Sequence, residues 1–141
     1  MPFVVFDTNV LIAAFLSNNS DSPVVQLTRM ALQNLVTPVV TEDIFNEYVS
    51  VSSRPKLNID PTKRDFFLKV FREKSIEISS QSTGITLPDV DDLPFYEAYK
   101  TFQKTGRKTF LVTGNIKDFP VDDKGIVTPR ELLDLMVSGG L

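Results

Sequence analysis

Short apolar runs alternate along the chain with longer segments in which apolar residues recur every three or four positions. Three of the runs are continuous and rich in β-branched or aromatic residues, which is typical of buried strands in a parallel sheet. They lie at residues 3–6, 36–40 and 110–113. Shorter runs at 76–78 and 126–127 predict two further strands. Pro38 interrupts the second run, and a proline has no N–H to donate to a neighbouring strand.

The segments between these runs have helical spacing. They begin near residues 10, 24, 42, 61, 93 and 129, and the second extends to Leu35. Thr41 and Asp92 stand at the N-cap positions of two of these predicted helices, while Thr128 and Glu131 form a capping-box pattern before the last. In the fourth predicted helix, the buried stripe consists of Phe66, Phe67, Val70 and Phe71.

The alternation of strands and helices predicts an α/β fold with a mostly parallel sheet, formed as a single domain over residues 1–141. In such sheets, ligands bind beyond the carboxyl ends of the strands, near the point where the strand order reverses. Polar residues directly follow two of the predicted strands. These residues are Asp7, Thr8 and Asn9 after the first strand, and Asn115 after the third. This edge of the sheet is therefore the predicted functional edge.

The composition restricts the chemistry of any active site. The chain has no histidine and no cysteine, which excludes Ser-His-Asp catalysis, histidine or thiolate zinc sites, and disulfides. Polar chemistry has to come from carboxylates, amides, hydroxyls, lysine, arginine or tyrosine. A bound metal would have oxygen ligands, which favours magnesium, manganese or calcium.

Charge and hydropathy narrow the expected partners and compartment. The 18 acidic and 15 basic residues leave a net charge of −3, whereas sequence-independent duplex-DNA binders are usually basic. The apolar stretch at 10–16 is too short to span a bilayer, and no basic stretch precedes the first apolar residues. We therefore expect a cytoplasmic protein with no membrane partner.

Acidic residues occur at four places that the fold could bring to the functional edge. They are Asp7 after the first strand, Glu47 on a helix, Asp89, Asp91 and Asp92 before another helix, and Asp118 after the third strand, where Asn115 also lies. Carboxylates in one cleft repel each other unless a cation lies between them, and a divalent ion can also activate water beside a phosphate. Each position has a structural alternative too, as a turn residue, a solvated helix residue or an N-cap.

These positions resemble the motifs of the PIN-domain family. The matching blocks, in chain order, are the strand ending in Asp7-Thr-Asn9, Glu47 before Arg54-Pro-Lys, Asp89-Val-Asp-Asp92-Leu-Pro-Phe, Leu-Val-Thr113-Gly-Asn115, and the last helix after Thr128-Pro129. The resemblance implies a three-layer α/β/α sandwich with a mostly parallel central sheet. Many members are endoribonucleases that depend on Mg²⁺ or Mn²⁺. The toxin members of toxin–antitoxin pairs cut RNA until a cognate antitoxin blocks them.

The resemblance also implies a role for each matched position. Asp7, Glu47 and Asp92 match the three metal-binding acids of the family. Asp89 matches an acid that accompanies them, and Asp91 is a competing alignment for the third acid. Asn9 and Thr113 match polar residues that support the site. The family's usual fourth acid is replaced here by Asn115, which can ligate a cation through its amide oxygen but adds no charge. Asp118 offers a carboxylate three residues later.

The resulting hypothesis is hydrolysis of RNA phosphodiester bonds, assisted by one or two divalent ions. The ions would be held by Asp7, Glu47 and Asp92, with Asn115 or Asp118, and nearby Arg54, Lys56 and Lys117 would contact the substrate. Single-stranded RNA is favoured, because its flexible backbone can enter an acidic cleft. The resemblance further implies a cognate antitoxin protein and a homodimer as partners.

Two other functions stay open on the sequence. The asparagine at position 115 and the acidic net charge favour a PIN-like binding module with weak or no nuclease turnover. A receiver-like phosphotransfer domain also has a strand-end aspartate in an acidic pocket. That class normally carries a lysine after a late strand, however, and Lys117 lies too far past Thr113 for this role.

Overall fold

The computed structural model describes residues 1–120 and 122–139. Five parallel strands form one sheet in the order β3-β2-β1-β4-β5. The strands are β1 (Phe3–Phe6), β2 (Thr37–Val40), β3 (Ile76–Glu77), β4 (Thr109–Val112) and β5 (Ile126–Val127). The helices are α1 (Thr8–Leu16), α2 (Pro23–Leu32), α3 (Glu42–Ser52), α4 (Pro61–Lys74), α5 (Leu93–Gln103) and α6 (Pro129–Val137). The predicted α/β fold with a parallel sheet is confirmed.

Helices cover both faces of this sheet. The ring of Phe3 lies 5.0 Å from that of Phe102 on α5, whereas the ring of Phe6 lies 5.5 Å from that of Phe71 on α4. Residues three apart on a strand point to opposite faces, so α4 and α5 pack on opposite sides of β1. The three-layer sandwich follows from these two contacts.

The strand order reverses beside β1. The chain first builds β2 and β3 on one side of β1, and then returns to place β4 and β5 on the other side. Phe3 to Phe6 pair one to one with Thr109 to Val112. The carboxyl ends of β1 and β4 therefore lie side by side at the position where open α/β sheets bind their ligands.

Pro38 is accommodated without losing a ladder hydrogen bond. The Thr37 N–H donates to the Pro2 carbonyl on the β1 side, and the Val40 carbonyl accepts from the Ile78 N–H on the β3 side. Backbone groups alternate in direction along a strand, so the nitrogen of Pro38 faces the β3 side. β3 begins to pair with β2 only at Val39, one residue beyond the proline.

Two helix predictions differ from the structure. α2 ends at Leu32 and not at Leu35, because Asn34 adopts a left-handed conformation (φ 62°) and turns the chain away. In α4 the predicted burial of Phe66 is wrong, since its side chain is 69% exposed. The helix instead buries Leu68 and Phe71, because Phe66 lies about 140° around the helix from Phe71.

The remaining helices agree with their sequence signals. The capping box before α6 is formed by two hydrogen bonds, of 3.1 Å from the Glu131 N–H to Thr128 Oγ1 and 2.9 Å from the Thr128 N–H to Glu131 Oε1. The longest helix of residues 1–120 and 122–139, α4, has 14 residues. Within those ranges, no helix has the length and apolar character needed to cross a membrane.

Candidate active site

Asp7 lies where the strand order reverses, and it is tied to both neighbouring strand ends. It directly follows β1, and its backbone N–H donates to the Val112 carbonyl at the end of β4 (3.0 Å). Its Oδ2 accepts a hydrogen bond from the hydroxyl of Thr113 (2.7 Å). Both side chains are buried, with Asp7 only 3% exposed. The fold thus holds a carboxylate at the predicted functional edge with a single side-chain donor.

Thr113 connects Asp7 to the loop that follows β4. Its hydroxyl donates to Asp7 and accepts a bond from the Asn115 N–H (3.1 Å). A short 3₁₀ turn, Ile116–Asp118, follows Asn115. The side chain of Asn115 is exposed. The Thr-Gly-Asn segment is therefore anchored to Asp7 through its threonine hydroxyl and its backbone.

Tyr48 supports the same strand end from α3, and sequence analysis did not identify it. On its β2 side, β1 pairs only at Phe3 (with Thr37) and Val4 (with Pro38), so Phe6 has no partner residue in β2. The Tyr48 hydroxyl donates to the Phe6 carbonyl (2.5 Å) in the buried core. This bond satisfies the last carbonyl of β1, which precedes Asp7. The sequence pattern predicts Tyr48 only as part of the apolar face of its helix.

Glu47 is oriented by Thr8, which is a second residue that sequence analysis left without a role. The buried Thr8 hydroxyl donates to Glu47 Oε2. Thr8 begins α1, directly after Asp7. The signal in the sequence was its place between Asp7 and Asn9, within a polar triplet that follows a buried strand. Thr8 and Tyr48 thus place α3 against the end of β1.

Asp7, Thr8 and Glu47 border a cleft of about 190 Å³. Its lining carries five carboxylates and one cation, which are Asp7, Glu47, Asp89, Asp91, Asp92 and Arg54, together with Asn9. Lys56 and Lys117 are exposed and do not line the cleft, and the same holds for Asn115. The structure therefore brings together acids from three separate chain segments beside a single arginine.

Among the three acids before α5, Asp92 is the least exposed. Burial raises the pKa of Asp92 to about 6, and the charges of Asp7, Asp89, Asp118 and Asp91 add to this rise. Although Asp92 is the N-cap residue of α5, its side chain makes no capping hydrogen bond. Its carboxylate is therefore free to bind a ligand.

Asp89 has a local structural role that Asp92 lacks. Asp89 Oδ1 accepts a hydrogen bond from the Asp91 N–H (2.9 Å) and so caps the short turn Val90–Asp92. Asp91 itself is exposed. Of the two alignments for the third acid, this arrangement favours Asp92 over Asp91.

Asp118 lies close enough to influence two of these acids. Burial raises the pKa of Asp7, and the charge of Asp118 adds to this rise. The hydrogen bonds from the Thr113 hydroxyl and from the Asn9 and Thr8 amides lower the pKa, but by less. The same charge contributes to the raised pKa of Asp92. Asp118 does not line the cleft, but its charge contributes to the raised pKa of both Asp7 and Asp92.

The donor atoms in the cleft suit a hard divalent cation. Carboxylate oxygens are the ligands that Mg²⁺ and Mn²⁺ prefer, and a cation would offset the repulsion that raises the pKa of Asp92. Within residues 1–120 and 122–139, however, no three acidic side chains are already assembled around one position for a metal ion. The fit lies in the chemistry of the donors, and Glu47 and Asp92 are only partly buried, so their side chains have room to turn.

The raised pKa of Asp92 predicts how the metal-free protein responds to pH. The folded-state pKa of about 6 exceeds the unfolded value of 3.8, so the ionised carboxylate weakens the fold as pH rises through this window. Asp92→Asn should match the wild type in Tm near pH 4, and exceed it by roughly 1–3 °C above pH 7. The measurement is thermal unfolding in EDTA across this pH range. A constant difference between the two proteins at every pH would contradict the raised pKa.

A family model described as PIN domain matches residues 3–117, which include Asp7, Glu47, Asp92 and Asn115. Asp118 and α6 lie outside the matched region. No curated protein matches the chain. PIN domains are generally nucleases and typically depend on divalent metals. Because the match covers most of the chain, this protein belongs to the PIN-domain family.

Proposed function

We propose that this PIN domain is a divalent-metal-dependent endoribonuclease that hydrolyses RNA phosphodiester bonds. The observation that carries the proposal is the convergence of Asp7, Glu47 and Asp92 on one cleft where the strand order reverses. These acids come from three segments that are far apart in the sequence. Their gathering in one cleft costs electrostatic energy, which a bound cation would offset.

Mg²⁺ or Mn²⁺ is the cofactor that the donor set fits. Asp7, Glu47 and Asp92 would hold it, with Asp89, Asp118 or the amide oxygen of Asn115 completing the set. When bound, such an ion neutralises charge on the phosphate and acidifies water. The ion would therefore supply charge neutralisation and water activation in a chain that has no histidine or cysteine for this chemistry.

The chain's own residues would position the reacting groups. The Thr113 hydroxyl holds the Asp7 carboxylate, and the Thr8 hydroxyl holds that of Glu47. Arg54 is the cation of the cleft lining, and its guanidinium can bind a phosphate of the substrate through paired N–H groups. Lys56 and Lys117 lie outside the cleft and would contact the strand further along.

Single-stranded RNA is the proposed substrate, because a cleft of about 190 Å³ among carboxylates admits a flexible strand more easily than a duplex. The test is cleavage of labelled single-stranded RNA, duplex RNA and single-stranded DNA in Mg²⁺, Mn²⁺ or EDTA. We expect internal cleavage of single-stranded RNA with either metal and none in EDTA. Cleavage that persists in EDTA, or a preference for DNA, would contradict the proposal.

Asn115→Asp tests whether the departure at position 115 weakens the site. A carboxylate at position 115, on the loop that Thr113 anchors to Asp7, should tighten Mn²⁺ binding by roughly tenfold if its side chain turns to the metal, since one more charged ligand is then available. In EDTA the same variant should have a lower Tm than the wild type, because the added charge is unscreened. A Mn²⁺ titration of the cleavage rate measures the first effect. Unchanged metal dependence would show that the side chain at position 115 does not ligate the metal.

The second candidate function is a PIN-fold binding module with weak or no turnover. It is favoured by Asn115 at the position of the usual fourth acid, and by the lack of a preassembled acidic triad in residues 1–120 and 122–139. Manganese distinguishes the two candidates. A functional site should raise the Tm with increasing Mn²⁺, whereas a module without a metal site should not respond.

We further propose that the protein is a cytoplasmic toxin component with a cognate antitoxin, and that it forms a homodimer. The support is the family and the proposed cleavage of RNA. Induced expression in a bacterial host should arrest growth with the wild type, and a variant without cleavage should not. Sedimentation analysis of the purified protein tests the homodimer, and a monomer at all concentrations would exclude it.

A further inference from the structure

A second cavity lies at the opposite edge of the sheet from the acidic cleft. It measures about 510 Å³ and lies at the start of β4, whereas the cleft lies beyond the end of this strand. Its lining carries three cations, Arg107, Lys108 and Lys124, and no carboxylate. We call these three residues and the cavity between them the basic pocket.

The turn that carries Lys124 is held in place by close packing on α5. Asp123 Oδ1 accepts hydrogen bonds from the Tyr99 hydroxyl (2.7 Å) and from the Gly125 N–H (3.1 Å). A Cβ atom at Gly125 would lie 2.1 Å from the Tyr99 hydroxyl oxygen, so only glycine allows this approach. Lys124 is thereby fixed across the pocket from Arg107 and Lys108.

Two of the three cations of the basic pocket hold their charged heads over aromatic rings. The Arg107 guanidinium lies 5.3 Å from the ring centre of Phe3, and the Lys108 ammonium lies 5.9 Å from that of Phe110. All three cationic residues are exposed. None of them forms a salt bridge with another described residue. The pocket therefore offers positive charge that no described salt bridge neutralises, although Asp122 and Asp123 lie near Lys124.

The distribution of charge over the chain strengthens this contrast. Six of the 18 acidic residues and one of the 15 basic residues, Arg54, belong to the acidic cleft or its rim, which leaves 12 acids against 14 lysines and arginines elsewhere. The overall acidic charge is thus a property of the cleft, and the rest of the chain is positive. A polyanion approaching the acidic cleft would need such a positive surface to hold it.

We infer that the basic pocket is an exosite that binds backbone phosphates of the single-stranded RNA whose cleavage takes place in the acidic cleft. The inference rests on the proposed function for the identity of the strand. α5 connects the two sites, since Phe95 in its first turn lines the cleft and Gln103 at its end lines the pocket. Its 11 residues span about 16 Å, a distance that an extended RNA strand can bridge.

Two other roles for these cations are separable from this one. Arg107 and Lys108 follow the C-terminus of α5, where cations interact favourably with the helix dipole. This role would affect stability but not RNA binding. An acidic peptide would also be attracted to the pocket. RNA is favoured because the proposed substrate already occupies the other end of α5 and supplies a phosphate at every nucleotide.

The test compares two variants that each lose one arginine and one lysine. Arg107→Gln/Lys108→Gln removes charge from the pocket, and Arg29→Gln/Lys69→Gln removes the same charge from exposed positions on α2 and α4. Binding of fluorescently labelled single-stranded RNA is measured in EDTA, where no metal-dependent cleavage occurs. The pocket variant should raise Kd for a long RNA by roughly tenfold and reduce the salt dependence by about 1.4 log units per log unit of salt. The control variant should stay close to the wild type.

Cleavage assays in Mn²⁺ complete the test. The pocket variant should raise KM for the long RNA, with kcat unchanged, and should cleave an RNA too short to reach the pocket at the wild-type rate. Equal Kd values for the two double variants would overturn the exosite, even if the enzyme cleaves RNA. If polyglutamate displaces the RNA and binds with a lower Kd than the RNA does, the exosite is overturned in favour of an acidic-peptide site. Pocket-dependent RNA binding without any cleavage would support a phosphate-binding role for the pocket but reject the proposed nuclease, and with it the exosite.

Discussion

Asp7→Asn is expected to lower the rate of metal-dependent RNA cleavage by more than about 100-fold, which exceeds the usual effect of losing a residue that only supports a metal ligand. Asparagine has the shape of aspartate, and its amide oxygen can still accept the Thr113 hydroxyl bond. The contact between the ends of β1 and β4 is therefore preserved. What is lost is the negative charge at the point where the strand order reverses. The measurement is the initial rate of cleavage of single-stranded RNA at saturating Mn²⁺.

The same variant should not be less stable than the wild type without metal. Burial raises the pKa of Asp7, so its ionised form opposes folding at neutral pH and the neutral amide does not. In EDTA the Tm of Asp7→Asn should equal or exceed that of the wild type, whereas Mn²⁺ should raise the Tm of the wild type only. Asp21→Asn, at an exposed loop position, is the matched control and should behave as the wild type. Cleavage retained within a few-fold would reject the proposed role of Asp7.

Phe71→Ala is expected to cost about 3–5 kcal/mol of unfolding free energy, as is usual for a buried phenylalanine. Phe71 is fully buried, and its ring lies 5.5 Å from that of Phe6, 5.9 Å from Tyr48 and 5.5 Å from Phe67. Removing it leaves a cavity between α4 and the sheet, directly below the strand that ends at Asp7. Urea unfolding measures the loss, with a fall in Tm of roughly 10–20 °C as a second readout.

Phe66 provides a control within the same helix. Its side chain is 69% exposed, so Phe66→Ala should change the unfolding free energy by no more than about 0.5 kcal/mol. The substitution is chemically identical and lies about 1.4 turns from Phe71. Equal losses in the two variants would mean that α4 turns a different face to the core.

Much of the fold follows from local patterns. The run at Phe3–Phe6 is apolar on both faces, because helices cover both sides of β1, and this is visible in the sequence. The capping box of Thr128 and Glu131 requires only a helix start and is likewise local. The error at Phe66 has the opposite origin. Phe66, Phe67, Val70 and Phe71 span a wide arc of the helix, and periodicity alone does not show which part of this arc the sheet covers.

The candidate site divides in the same way. The sequence itself determined that Asp7 ends a buried strand. It also determined that the chemistry must rely on oxygen ligands. The sheet order alone decided that β4 lies beside β1, so that Thr113 bonds Asp7 across 106 positions of the chain. Tertiary structure also decided that Asp92 and Asp7 line one cleft, that the charge of Asp118 reaches both, and that Thr8 and Tyr48 hold α3 to β1. The physical reason is that side-chain spacing reports on one helix or strand, whereas the meeting of carboxylates from separate segments depends on how those elements pack.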